Sequence, residues 1–146
     1  MIYLDANVFL RLLAAPTTPV DVRRGTLARA LFEDVRLGRR LVTTTEVVLH
    51  VVCYILTSPR HHGHSSTDVA ADMMAVIQYA GFRFPPSERE TYLRAFDLWV
   101  AQPRIGFADA VNAARCEAAG HDLATFDRHF DAIPTVQRWS WETPTV

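Results

Sequence analysis

Short apolar runs alternate along this chain with longer stretches whose apolar residues recur every three to four positions. That change of period predicts brief buried strands feeding amphipathic helices. Met1–Leu4 reads as a buried first strand, and Ala6–Ala14 as a helix carrying Val8, Phe9, Leu12 and Leu13. A loop over Pro16–Pro19 leads to a second helix, Val20–Arg39, with Leu27, Leu31 and Val35 as its apolar stripe. Leu41–Thr43 is a second brief strand, Glu46–Leu56 a strongly apolar helix, and Ser58–Ser66 a polar loop. Thr67–Ala80 predicts a helix with Val69, Met73 and Ile77 on one face, ended by Gly81, and Phe82–Phe84 a third strand. Pro85-Pro86-Ser87 breaks the chain. Ser87 and Glu90 fit a capping box for a helix through Val100 that buries Tyr92, Phe96, Trp99 and Val100. After a loop over Pro103–Gly106, Ala108–Ala119 is a helix closed by Gly120. Asp122–Thr125 is a fourth strand, Arg128–Phe130 a single turn, and Thr135–Trp139 a fifth strand.

Strands alternating with helices imply parallel pairing, hence an α/β fold: an α/β/α sandwich with a short, mainly parallel central sheet. The 146 residues fit one domain, 1–146, and the 49% hydrophobic content is ample for one core. The longest apolar stretch, Val47 to Leu56, is broken by His50 and falls short of a membrane span. No secretory leader is legible, because Asp5 and Asn7 interrupt the first apolar run. Cys53 and Cys116 form no motif and read as small core residues of a reducing, cytoplasmic compartment.

Charge alone does not mark a nucleic-acid coat, since the net charge is −1 and the pI about 6.6. Two divalent cations, four charges, would carry that sum from −1 to +3. All basic residues are arginine. Arginine suits bidentate phosphate contacts, although biased codon usage accounts for the same composition. Arg23, Arg24, Arg29, Arg36, Arg39 and Arg40 gather on and after the second helix, first of all as a solvated face. RNA phosphate contact and docking of a protein partner are the alternatives for that face.

The candidate chemistry lies in Asp5, Glu46, Asp109 and Asp127, each where an apolar run gives way to a helical pattern. Ligands of open α/β sheets bind outside the carboxyl ends of strands, so acids in these settings can line one pocket. Each also has a structural explanation. Asp5 and Asp127 can cap the turns that follow them, Thr43-Thr44-Thr45-Glu46 fits a capping box, and Asp109 complements a helix dipole. Jointly they require relief of repulsion, about 4 kcal/mol for two charges about 4 Å apart at an effective dielectric near 20. Hard oxygen ligands without a cysteine–histidine cluster favour Mg²⁺ or Mn²⁺ over zinc.

Four segments in order carry a family resemblance. They are Ile2-Tyr3-Leu4-Asp5-Ala6-Asn7, Thr45-Glu46-Val47, Phe107-Ala108-Asp109-Ala110, and Leu123-Ala124-Thr125-Phe126-Asp127-Arg128-His129-Phe130. In these the chain resembles the PIN-domain ribonucleases, most closely the VapC-like toxins of type II toxin–antitoxin systems. The resemblance implies an endoribonuclease that cleaves single-stranded or loop RNA with Mg²⁺- or Mn²⁺-activated water. It implies a homodimer and a cognate antitoxin that fills the active-site groove. Asp5, Glu46, Asp109 and Asp127 fall on the family's acidic quartet, as catalytic and metal-binding residues. Asn7 and Thr125 fall on its supporting polar positions. Asp5 and Asp109 lead as direct ligands, and Asp127 acts through water or at a weaker second site.

Two other functions stay open: a PIN nuclease of RNA processing without an antitoxin, and a degenerate PIN module that only binds. A receiver domain would need a lysine, an Asp-x-Asp phosphatase would need an acid in place of Asn7, and no phosphate-binding Gly-rich loop is present. Some features stand outside the resemblance. His61, His62 and His64 sit in the polar loop, which reads as solvated, with RNA contact or adventitious metal as alternatives. Trp139-Ser140-Trp141 reads as a hydrophobic lid or dimer element ahead of a base-stacking platform. His50, one turn after Glu46, reads as a polar core histidine ahead of a role behind the acids. The first helix, apolar nearly all round, is either wholly buried or exposes a greasy groove for a partner segment.

Overall fold

In the computed structural model, which describes residues 1–141, helices dominate and the sheet is reduced to its shortest form. The last five positions of the expected 1–146 domain lie outside the described residues. Strand β1 (Ile2–Tyr3) pairs in parallel with β2 (Val42–Thr43), Ile2 opposite Val42 and Tyr3 opposite Thr43. A single parallel bridge then adds Phe82 on the far side of Val42. The class is α/β, as expected, with the balance moved toward helix.

Three expected strands shrink to single bridges. Phe82–Phe84 pairs only at Phe82, because Pro85 and Pro86 follow at once and offer no backbone N–H to a ladder. Asp122–Thr125 and Thr135–Trp139 meet one another at Leu123 and Arg138, so neither extends the sheet of β1 and β2. The first strand is also less buried than expected. Ile2 and Tyr3 are exposed and only Leu4 is fully covered, since β1 is paired on one side alone.

The helices are α1 (Ala6–Leu13), α2 (Pro19–Arg36), α3 (Glu46–Thr57), α4 (Ser66–Ile77), α5 (Glu88–Ala101) and α6 (Gly106–Ala119). Helix α1 packs on α2 and α3, α3 on α4 and α6, and α5 on α4 and α6. Phe9, Phe32 and Phe82 meet at the sheet end of the core, and Phe96 stacks on Phe107 at 4.5 Å between α5 and α6. Among the α1 residues only Phe9 is fully buried. The helix therefore forms one wall of a groove with α2, lined by Asn7, Val8, Arg11, Arg24, Leu27 and Leu31.

The expected stripe of α2 is rotated. Leu27 is exposed and Leu31 half-buried, while Gly25, Ala28, Phe32 and Val35 face the core. Phe32 takes the core side because it packs on Phe9 of α1, with ring centroids 5.4 Å apart. Gly81 does not end α4, which stops at Ile77. Its role is close approach: a Cβ there would lie 2.0 Å from the Arg40 carbonyl, and its N–H reaches Val35 O at 2.8 Å.

The capping box at Ser87 is absent. Ser87 adopts φ 69°, and the Glu88 N–H reaches Pro85 O at 3.1 Å, which makes Pro85–Glu88 a type II turn with Pro86 and Ser87 at its centre. That backbone turns the Ser87 hydroxyl away from the helix it precedes. Tyr92, Phe96 and Trp99 do form the buried face of α5, and Val100 is only partly covered. Gly120 closes α6 in the left-handed region, as expected. Among the described residues no helix is long and apolar enough to cross a membrane.

Candidate active site

Asp5 follows β1 and caps α1, its Oδ1 accepting the Ala6 N–H at 2.7 Å. The strand that delivers it is locked from the side by a residue the sequence did not single out. Thr44 is the one buried polar side chain among the described residues, and its hydroxyl donates to the Leu4 carbonyl at 3.0 Å. Beside it the Tyr3 and Thr45 hydroxyls share a hydrogen bond of 2.9 Å. These two bonds tie the residues before Asp5 to the residues before Glu46, so the Thr43-Thr44-Thr45 run joins the chain segments that lead into two sequence-distant acids. That threonine run was the available signal.

Glu46 begins α3 with Thr45 at the N-cap, so the box of Thr43 with Glu46 does not form: Glu46 stands one residue after the cap and not three. Glu46 turns instead to Arg115 of α6, whose Nη2 lies 3.4 Å from its Oε2. The same guanidinium lies 3.4 Å from Glu88 Oε1 at the start of α5. Glu88 also accepts from the buried Tyr92 hydroxyl, and burial followed by that carboxylate pushes the phenol well above its ordinary range. Arg115 was not predicted from the sequence. Nothing local distinguishes it, since its partners come from two other helices.

Asp109 stands in the first turn of α6 and is half-buried. Its carboxyl is held above the ordinary 3.8 by burial first and by the charge of Asp127 second, with His50 acting in the opposite direction. Asp127 caps the short 3-10 turn Arg128–Ala132, its Oδ1 accepting from the His129 N–H at 2.8 Å. Thr125 accepts the Asp127 N–H at 3.1 Å, which fixes the loop on which the acid sits. His50 lies with Glu46, Val47, Ala108 and Asn112 around a small cavity of about 220 Å³, and its buried Nδ1 has no hydrogen-bond partner. Asn7 lies on the wall of the α1–α2 groove.

The charges of Asp127 and His50 both reach Asp109, in opposite directions. Asp5 and Asp127 hold backbone amides and Glu46 faces Arg115. Among the described residues no three Asp, Glu, His or Cys side chains close into a tight ligand cage. The donor chemistry nevertheless fits an oxygen-preferring divalent cation. A half-buried carboxylate destabilised by a second one is eased by a cation, and an unpartnered buried nitrogen stands beside it. Sites of this composition support charge-stabilised hydrolysis. His61, His62 and His64 are exposed in their loop, with His62 lining a small pocket beside Asn7, Arg11 and Asp21, and Cys53 is buried with its thiol pushed up by burial.

The chain belongs to the PIN domain family, whose sequence model matches residues 2–136. That family has a nuclease-type fold that generally works with divalent metal, which supports hydrolysis of nucleic acid. No match was found among curated proteins.

Proposed function

We propose that the protein is a metal-dependent endoribonuclease, the toxin of a toxin–antitoxin pair, with Asp5, Glu46, Asp109 and Asp127 at its active site. The observation that carries this reading is the half-buried Asp109 carboxyl, held up by burial and by the charge of Asp127, within a PIN fold. A half-buried carboxylate whose ionisation a second acid disfavours serves folding poorly and serves a cation well. Asp5, Glu46, Asp109 and Asp127 would hold Mg²⁺ or Mn²⁺. The cation, when bound, supplies charge stabilisation to the attacked phosphate and makes water a better nucleophile. Thr44, through the Leu4 carbonyl, and Thr125, through the Asp127 N–H, hold two of the acid-bearing loops in place. Asn7, exposed one helical step from Asp5, is assigned to substrate or water contact from the groove side.

The groove of α1 and α2 supports the antitoxin part of the reading. It opens beside Asn7, combines the apolar surface of Val8, Leu27 and Leu31 with Arg11 and Arg24, and suits an extended or helical segment bearing acids. A homodimer is proposed on the family resemblance alone. The deciding experiment is cleavage of single-stranded RNA by the full chain with Mn²⁺, compared with Asp5→Asn and Asp109→Asn. Both variants should lose cleavage by at least about a hundredfold while keeping the circular dichroism of the parent. Wild-type cleavage by either variant would remove that residue from the site, and failure of the parent to cleave RNA would remove the reading. Expression alongside the product of an adjacent small reading frame tests the antitoxin part, with co-purification and loss of cleavage as the expected result.

A further inference from the structure

Three aromatic rings stand exposed immediately beside Asp127. Phe126 is 80% exposed, Trp139 46% and Trp141 49%. They are not scattered. Phe126 stacks on Trp141 with centroids 4.5 Å apart and planes 16° apart, and Trp139 meets Trp141 edge-on at 4.7 Å. Exposing so much aromatic surface in one place is costly in water, and a contiguous exposed patch of this kind marks a binding surface.

The patch is built onto the acid loop. Phe126 is the residue between Thr125 and Asp127, and the Trp141 indole N–H donates to the Thr125 carbonyl at 3.2 Å. The chain that carries the two tryptophans is pinned at two points. Leu123 N–H reaches Gln137 O at 2.8 Å and Trp139 N–H reaches Leu123 O at 2.9 Å. Arg138 also forks onto Asp131 with bonds of 2.6 and 3.0 Å. The rings therefore hold a preset arrangement. Both tryptophans follow residue 136, where the family match ends.

We propose that Phe126, Trp139 and Trp141 form a stacking platform for the unpaired bases of single-stranded RNA passing Asp127. The proposal rests on the nuclease reading for the identity of its ligand. Polar residues flank the rings along the chain, Thr125 and Asp127 beside Phe126 and Arg138 and Ser140 beside the tryptophans. A flat aromatic face in a polar surround suits a base, whereas a stable protein interface needs a broader apolar area. Arg128, exposed two residues after Phe126, supplies a cation for the phosphates of such a strand. The open face of Phe126 takes one base, and the Trp139–Trp141 corner takes its neighbour. Bases already stacked in a duplex cannot use either surface, so the platform selects unpaired segments.

The test is binding in metal-free buffer by the full chain carrying Asp109→Asn, which keeps the oligonucleotide intact. A labelled single-stranded oligoribonucleotide is followed by anisotropy and by tryptophan emission. Because Trp99 is buried, quenching reads Trp139 and Trp141. Trp141→Ala and Phe126→Ala should each weaken binding about tenfold, Trp141→Phe should restore most of it, and a duplex of the same sequence should bind no better than Trp141→Ala. Unchanged RNA binding by both alanine variants overturns the platform. So does a shift from dimer to monomer in Trp141→Ala with RNA binding intact, which would assign the patch to a second copy of the chain. Cleavage by the unmutated protein is measured separately with Mn²⁺. Ring-dependent binding without cleavage retires the nuclease reading and keeps the platform. Cleavage with ring-independent binding does the reverse.

Discussion

Arg115 of α6 faces Glu46 of α3 across 3.4 Å, and the same guanidinium is 3.4 Å from Glu88 of α5. One cation thus holds a candidate metal ligand from a helix that also carries Asp109. Both partners are partly exposed, so the pair contributes little to stability, about 0–1 kcal/mol. Its consequence is electrostatic: a fixed positive charge beside Glu46 competes with any divalent cation at the site. Arg115→Gln should tighten Mn²⁺ binding by roughly two- to fivefold in a calorimetric titration, with little change in melting temperature. Weaker Mn²⁺ binding would mean instead that Arg115 orients Glu46 toward the metal.

Asp109 makes a prediction about pH. Its carboxyl is raised above 3.8 by burial and by Asp127, so the folded protein binds that proton more tightly than the unfolded chain does. A raised carboxyl costs stability once it ionises. The penalty is absent below the unfolded value and grows as pH rises through the raised folded value. Asp109→Asn should therefore raise the melting temperature of the metal-free protein at neutral pH, with the difference fading as pH falls toward 3.8. Adding Mn²⁺ should stabilise the parent and not the variant. Equal melting temperatures at neutral pH without metal would show that Asp127 does not burden Asp109.

Thr44 is expected to matter beyond its size. Thr44→Val keeps the shape, removes the hydroxyl and leaves the Leu4 carbonyl without its 3.0 Å donor. A buried acceptor left unpaired costs about 1–3 kcal/mol, readable in urea unfolding. Because that bond ties the Asp5 strand to the Glu46 helix, Mn²⁺ affinity should fall as well, and Thr44→Ser should recover both. A loss of stability with Mn²⁺ affinity unchanged would confine Thr44 to the fold.

Ser87 carries a local strain that glycine would relieve. It holds φ 69° in the turn before α5, a region that costs a non-glycine residue roughly 1–2 kcal/mol. Ser87→Gly gives back part of that in unfolded-chain entropy, so a net gain of up to about 1 kcal/mol is expected in thermal unfolding. A destabilised variant would mean that the turn depends on the serine side chain.

Several features were legible from local sequence because local interactions decide them. Val69, Met73 and Ile77 face the core as their spacing predicts, Gly120 closes α6 as its freedom at positive φ predicts, and the caps at Asp5 and Asp127 are made by the nearest backbone amides. The errors fall where a distant partner or a competing turn intervenes. The stripe through Leu27 yielded to Phe32 because Phe9 and Phe82 supply the pocket on that side. The box at Ser87 yielded to a turn set by Pro86. Leu123 paired with Arg138 from a segment later in the chain, a choice that no run of four apolar residues encodes.

By itself the sequence determined the chemistry available: four carboxylates at the starts of helical elements, an ordered set of family segments, and aromatic residues on both sides of the last acid. Spacing and residue type settle these, since strand, cap and helix signals act over a few residues. Tertiary structure alone decided that Asp127 presses on Asp109, that Arg115 answers Glu46, that Thr44 joins the segments leading into Asp5 and Glu46, and that Trp141 folds back onto Phe126. Each of those is a contact between residues far apart in the chain or in separate elements. Its energy depends on distance and burial, and only the packed fold sets these.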